Sequence, residues 1–278
     1  MGKILDGNQV ASAVLDGVRA DVERLTRGER PLCLAVILVG DDPASKIYVR
    51  KKQQACERVG IRSVKFEFAA DTEQAELLSL IARLNTDSTV HGVLCQLPLP
   101  RHINEQAVLK AIAPEKDVDA FSARISICED DLAPCTPAGI VRLIEASGVK
   151  LEGSGCVIVG RSNIVGKPLA LLLLQRNATV TVCHSKTKNL ADITRAADVL
   201  IAAAGRPGLI GADMVKEGAV VIDVGINRDA CNRLCGDVDF LPVLEKAAYV
   251  TPVPGGVGPM TIAMLMKNTL LAAKRQLA

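Results

Sequence analysis

The chain has 278 residues, room for one large domain or two ordinary ones, and its 49% apolar content can fill real cores. A net charge of +2 excludes a protein that binds polyanions through bulk charge, so nucleic acid is not an expected partner. No apolar run reaches the roughly 18 residues of a membrane span, Met1-Gly2-Lys3-Ile4 does not open a secretory leader, and nine cysteines read as reduced structural thiols of a cytoplasmic protein.

Apolar residues at Val10, Val14, Leu15, Val18, Val22 and Leu25 have helical spacing over 8–26. The run 32–39 starts after Pro31 and stops at Gly40, which predicts a central strand. A turn at 40–43 leads to a helix over 44–59, ended by Gly60. A strand over 64–68, a helix over 75–84, a strand over 90–94 and a helix over 107–112 follow. This alternation implies a parallel sheet. Thr136 is placed as the N-cap of a further helix, with Pro137 in its first turn. Strands are expected at 178–183, 199–203, 219–224 and 249–250. A rigid loop of three prolines and three glycines is expected at 251–261, and a last helix at 262–274.

Between these halves stands Gly155-Cys156-Val157-Ile158-Val159-Gly160-Arg161-Ser162-Asn163-Ile164-Val165-Gly166, followed by an apolar helix. A strand, a turn with glycine at both ends and a helix make the first unit of a dinucleotide-binding domain, where a helix N-terminus receives a pyrophosphate. The Gly-x-Gly-x-x-Gly fingerprint is broken: Ser162 takes the second glycine place and Gly166 comes one residue late. An ordinary strand-to-helix turn would look the same. The end of the next strand carries His184-Ser185-Lys186 where an NAD enzyme usually carries a carboxylate. Arg161 and Ser185 could hold a ribose phosphate there, which points to NADP.

Tyr48 and Lys52 are four apart on one expected helix and so share a face. Lys52 is either a proton-transferring amine or a surface lysine in a run with Arg50 and Lys51. Gln96 ends its strand before Pro98 and Pro100, where it is either a ligand for a polar partner or a strand-end cap. Asp117 and Asp119 would face the same way in an extended segment, as a pair of glycosidase-type acids, as one ligand clamp or as a solvated inter-domain linker. Neither Cys231/Cys235 nor Cys128/Cys135 has zinc-site spacing, and no metal is expected.

Taken together, these runs resemble the bifunctional methylenetetrahydrofolate dehydrogenase/cyclohydrolase family along nearly the whole chain. The resemblance is carried by Ser45-Lys46-Ile47-Tyr48 with Lys52, Gln96-Leu97-Pro98-Leu99, Lys116-Asp117-Val118-Asp119 and Pro134-Cys135-Thr136-Pro137. It continues through Gly160 to Pro168, Cys183-His184-Ser185-Lys186, Asp223-Val224-Gly225-Ile226-Asn227 and, most specifically, Thr251-Pro252-Val253-Pro254-Gly255-Gly256-Val257-Gly258-Pro259-Met260-Thr261. It implies two α/β domains with parallel sheets and a cleft between them: a folate-binding catalytic domain over 1–119 plus 262–278, and a Rossmann-like NADP domain over 137–250. It implies that Tyr48 stacks on folate, Lys52 is catalytic, Gln96 modulates it and Asp119 holds the pterin. It also implies that Pro252, Gly255, Gly256, Gly258 and Pro259 line the folate side, that Gly160, Arg161, Ser162, Ser185 and Ile226 bind NADP, and that the chain forms a homodimer through the cofactor domain.

The departure from the family pattern is Ala120, where glycine usually follows the second aspartate, and an altered, shorter stretch to 133. If that glycine is needed for a positive φ, Ala120 is strained or the backbone is re-routed. The expected activity is NADP-linked oxidation of 5,10-methylenetetrahydrofolate to the methenyl form, then hydrolysis to 10-formyltetrahydrofolate. The competitors are a dehydrogenase that has lost the hydrolytic step and a non-catalytic binder of folate or nucleotide.

Overall fold

The structure, a computed structural model, describes residues 2–27, 30–121 and 131–277. In chain order, β1 (Lys3–Ile4) and α1 (Gly7–Thr26) precede β2 (Cys33–Val39), α2 (Pro43–Val59), β3 (Arg62–Phe68), α3 (Gln74–Thr86), β4 (Gly92–Cys95) and α4 (Glu105–Ala111). Then come α5 (Cys135–Ala146), β5 (Gly155–Val159), α6 (Gly166–Leu174), β6 (Thr179–Cys183), α7 (Leu190–Arg195) and β7 (Val199–Ala202). After a 3₁₀ turn follow β8 (Val220–Asp223), β9 (Asn227–Arg228), β10 (Leu234–Cys235), α8 (Phe240–Lys246), β11 (Tyr249–Val250) and α9 (Val257–Leu277). Two compact units result: Met1–Ser12 with Thr136–Thr261, and Ala13–Cys135 with Ile262–Ala278.

The second of these units holds a parallel sheet in the order β3-β2-β4. β2 is buried at all seven positions, as its unbroken apolar run requires of a strand covered on both faces. Cys33, Ala35, Ile37 and Val39 share one hydrophobic cluster with Leu77, Leu80, Ile81 and Leu84 of α3; Leu34, Val36 and Leu38 alternate with them and are buried too. α2 starts at Pro43 because the Asp42 carboxylate accepts the Ser45 N–H at 2.7 Å. It stops at Gly60, whose left-handed φ of +76° suits glycine. Beyond β4 the sheet gains a parallel bridge between Val93 and Asp117. The buried Lys116 holds that segment in place by donating to Leu84 O at 2.8 Å and Asp87 O at 2.7 Å, near the end of α3.

The other unit holds a six-stranded sheet in the order β1-β11-β8-β7-β5-β6, with every pairing parallel. Its two-residue strand β1, too short to show a period, is what ties the first residues of the chain to this unit. β7 and β8 are buried throughout, while β6 is the edge strand and largely exposed.

Two sequence expectations need correction. The helix expected to start after Thr136 starts at Cys135, so Thr136 lies inside the first turn and its hydroxyl pairs with that of Thr261 at 3.0 Å instead of capping. The final helix starts at Val257 rather than 262, because Gly258 and Pro259 fall in its first turn, where a missing proline N–H costs nothing.

Candidate active site

α2 carries Tyr48 and Lys52 one turn apart, Tyr48 half-buried and Lys52 only 6% exposed. Its neighbours Arg50 and Lys51 are exposed, so Lys52 is not part of a solvated basic run. The Lys52 Nζ donates to Gln96 Oε1 at 2.9 Å. Gln96 follows β4, and its own Nε2 donates to Leu97 O at 2.6 Å, which leaves the carbonyl end of the amide to face the amine. A buried ammonium or amine needs such a partner, and one amide oxygen leaves further Nζ positions for a ligand.

Asp119 joins this pair. Burial pushes its carboxyl above the usual carboxylate range, while the Lys52 charge opposes the rise. The segment before it is a turn, not the extended run expected: Asp117 is buried, and its carboxylate and its carbonyl both accept from the Ala120 N–H, at 3.0 and 3.1 Å. Asp117 therefore shapes the turn. Ala120 closes it at φ +56°, the left-handed backbone that glycine would hold at lower cost. The altered residues 122–130 lie outside the described residues.

Thiols crowd the same place. Burial pushes Cys56 and Cys95 up to about 12 and Cys135 well above its ordinary value. They stay protonated and are poor nucleophiles, which leaves Lys52, Gln96 and Asp119 as the groups able to do polar chemistry. Asn268 of α9 is buried and donates to Val118 O and Ala133 O, both at 2.8 Å, so it ties both ends of the altered connection.

In the other unit, Gly160, Ser185 and Ile226 follow β5, β6 and β8, at the carboxyl ends of parallel strands where ligands bind in such sheets. The sheet's connections reverse direction at β5, between β6 and β7. A side chain on Gly160, at φ +140°, would lie 2.1 Å from Ala203 O, and one on Gly166 would lie 2.2 Å from Gly160 O. These glycines do what the fingerprint glycines do, although the spacing is shifted. Ser162 Oγ accepts the Val165 and Gly166 N–H groups at 3.1 and 3.4 Å, at the start of α6. Arg161 and Ser162 are exposed beside it. At the end of β6, the Thr187 N–H reaches His184 O at 2.8 Å and closes a turn that leaves Ser185 and Lys186 exposed. A cradle closed to any Cβ, a helix N-terminus capped by the exposed Ser162, and exposed cationic and hydroxyl groups fit a phosphorylated dinucleotide.

Pro252, Gly255 and Gly256 lie between β11 and α9, and Gly258 and Pro259 in the first turn of α9. A side chain on Gly7 would lie 1.8 Å from Gly256 O, so the start of α1 packs directly on this loop. Thr251 Oγ1 accepts the Asp223 N–H at 2.7 Å, which links the loop to the end of β8. Sequence reasoning assigned no role to Asp223, Asp237 or Asn268. Each is a polar residue within or beside apolar sequence, and that was the available signal. Among the described residues, no group of three or more His, Cys, Asp or Glu is placed to hold a metal ion.

Two parallel α/β units, one with a dinucleotide turn and one with a buried lysine–amide pair, define a class of nucleotide-linked enzyme. Comparison with known proteins gives the family. Residues 134–277 match the model of the tetrahydrofolate dehydrogenase/cyclohydrolase NAD(P)-binding domain, and residues 5–119 match that of the catalytic domain. The bifunctional protein FolD of Agathobacter rectalis is 55% identical over 279 residues, covering 99% of this chain and 100% of that protein. The crystal structure of the bifunctional enzyme FolD, methylenetetrahydrofolate dehydrogenase/cyclohydrolase, from Campylobacter jejuni superposes with a TM-score of 0.95 at 48% identity, covering 99% of each chain. The Trypanosoma brucei methylenetetrahydrofolate dehydrogenase-cyclohydrolase, solved with NADP cofactor and inhibitor, gives 0.93 at 39% identity and covers 99% of this chain and 98% of that one. The chain belongs to the tetrahydrofolate dehydrogenase/cyclohydrolase family, and residues 134–277 are its NAD(P)-binding domain.

Proposed function

We propose that the protein oxidises 5,10-methylenetetrahydrofolate to 5,10-methenyltetrahydrofolate with NADP and hydrolyses the methenyl cation to 10-formyltetrahydrofolate. The observation that carries this reading is the buried Lys52 amine bonded to Gln96 at 2.9 Å with the Asp119 carboxyl in its field. NADP, when bound, supplies a hydride acceptor. Tyr48 stacks on the folate and Asp119 anchors its pterin, which sets the one-carbon bridge in a defined place. For the hydrolytic step Lys52 handles the protons of the attacking water and the folate nitrogen, and Gln96 holds the amine in position. Pro252, Gly255, Gly256, Gly258 and Pro259 line the folate side; their glycines let backbone approach a flat ligand.

On the cofactor side Gly160 and Ser162 take the pyrophosphate, and Arg161 and Ser185 take the ribose phosphate that distinguishes NADP from NAD. Ile226 gives the nicotinamide an apolar contact. We place the folate-binding catalytic domain in residues 1–119 with 262–278, the NADP-binding domain in 137–250, and the protein in the cytoplasm. It pairs into a homodimer through the cofactor domain. In support, the edge strand β6 exposes Val182, and α6 exposes Leu171 and Leu174. Light scattering on Leu174→Lys checks this, with a shift to monomer expected.

Mixing the protein with methylenetetrahydrofolate and NADP while following the methenyl absorbance tests the reaction. Transient accumulation is expected. Persistent accumulation would mean a dehydrogenase alone, and no signal would contradict the reading. Ala120 keeps the left-handed turn beside Asp119, which favours retention of both steps.

A further inference from the structure

Asp237 is fully buried, yet its partners lie largely in loops at the surface. Its Oδ2 accepts the Ala204 N–H at 2.6 Å and the Gly205 N–H at 2.9 Å. Its Oδ1 accepts the Arg206 N–H at 2.8 Å and the Asn227 side-chain amide at 2.8 Å. One carboxylate thus holds the loop after β7 and the segment after β8 together. Gly205 and Arg206 are exposed, so water could satisfy their N–H groups at no cost in buried charge. Burying a polar side chain to do so instead is expensive, and what it achieves is a fixed loop path.

That path matters at one place. Ala203, which opens the held loop, has its carbonyl where a Gly160 side chain would fall, so the β7 loop is the opposite wall of the dinucleotide turn. On the other side, Ile226 is 59% exposed between two fixed neighbours. Gly225 donates its N–H to Asp223 Oδ1 at 2.9 Å, and Asn227 is tied to Asp237. Asp223 in turn accepts the Asp237 and Val238 N–H groups at 2.9 and 3.0 Å, so the two carboxylates form one anchor. A large apolar side chain held out in solvent on anchored backbone is a platform for a flat ring.

We propose that Asp237 is a positioning residue of the NADP site, which sets the β7 loop against Gly160 and the Ile226 platform beside it without touching the cofactor. The proposal rests on the NADP-linked reading above. It predicts a defect in cofactor affinity that is separable from folding and from the folate site. Asp198 is the comparison: it accepts the Gly155 N–H at 2.8 Å and the Lys216 ammonium at 2.7 Å at the amino ends of β5 and β7, away from the cofactor edge.

The test is direct titration of NADP by calorimetry or fluorescence on wild type, Asp237→Asn and Asp198→Asn, with thermal unfolding and steady-state kinetics alongside. Asp237→Asn is expected to bind NADP at least about tenfold more weakly, the order of losing one hydrogen bond to a charged group. Its KM for NADP should rise while its KM for the folate stays near wild type. Asp198→Asn should lose thermal stability and keep NADP affinity. If Asp237→Asn does not fold, Asn227→Ala removes one bond to the same carboxylate, and a several-fold weaker NADP dissociation constant is expected, on the order of one neutral hydrogen bond to a charge. NADP affinity unchanged in Asp237→Asn, or in Asn227→Ala where that variant stands in, overturns the proposal. A wild-type protein that bound no NADP would overturn the functional reading and the proposal together.

Discussion

The Ala120 amide donates to the Asp117 carboxylate at 3.0 Å while Ala120 itself sits at φ +56°. An L-residue with a Cβ carries a penalty of roughly 1–2 kcal/mol in that region, and glycine does not. Ala120→Gly should therefore stabilise the protein, by about 0.5–1 kcal/mol once the extra freedom of glycine in the unfolded chain is subtracted. A higher urea midpoint at unchanged slope is the expected result, with hydrolysis retained.

We propose that Arg161 and Ser185 carry the cofactor choice. Arg161→Ala should weaken NADP much more than NAD, because only NADP offers the phosphate that a guanidinium can grip with charge-assisted bonds. Dissociation constants for both nucleotides check this, and equal losses would remove Arg161 from that role.

Asn268 donates to two carbonyls, Val118 O just before Asp119 and Ala133 O at the end of the connection that follows it. Asn268→Ala leaves Ala133 O without this donor and Val118 O with only the weak Cys135 thiol at 3.3 Å, at about 1–3 kcal/mol. Because Val118 adjoins Asp119, the KM for folate should rise while NADP affinity holds. Denaturant melts and separate titrations of the two ligands read the two effects.

The buried His91 accepts the Cys33 N–H on Nδ1 at 3.1 Å, a bond that needs a neutral ring. Burial first, and the charge of Lys116 second, hold its pKa below the ordinary 6.5. The unfolded chain thus takes up a proton that the folded one refuses. This contribution to stability is present above about pH 6.5 and is lost as pH falls through the lower folded value. His91→Asn, which can offer an amide oxygen to the same N–H, should flatten the fall in urea midpoint between about pH 7 and about pH 5 relative to wild type. An identical pH profile for the variant would contradict this.

Much of this was legible before the structure. β2 is a strand because Leu32 to Val39 is unbroken and apolar, and α2 is bounded by Pro43 and Gly60. The missing glycine left two readings, a strained Ala120 or a re-routed backbone, and the positive φ at Ala120 is the first of them. What was not legible depended on contacts distant in sequence. β1 is two residues long and exists only because β11 pairs with it. Asp117 looked like half of a clamp, but it turns inward to hold its own turn, which no local pattern reveals. Asp223, Asp237 and Asn268 would be read from composition as surface polar groups; their burial is set by the loops and helix that close over them. Lys52 was the hardest case, since Arg50-Lys51-Lys52 reads as a solvated run until the helix face is known.

That lysine is also where the account is most exposed. Lys52→Met keeps the apolar stem and removes the amine that Gln96 holds. Hydride transfer needs no protein acid or base in principle, whereas hydrolysis of the methenyl cation does. The decisive measurement is the rate of methenyltetrahydrofolate hydrolysis by Lys52→Met beside its rate of NADP-linked oxidation. A loss of hydrolysis by at least about a hundredfold with some oxidation remaining is the predicted result; hydrolysis at near the wild-type rate would contradict the account.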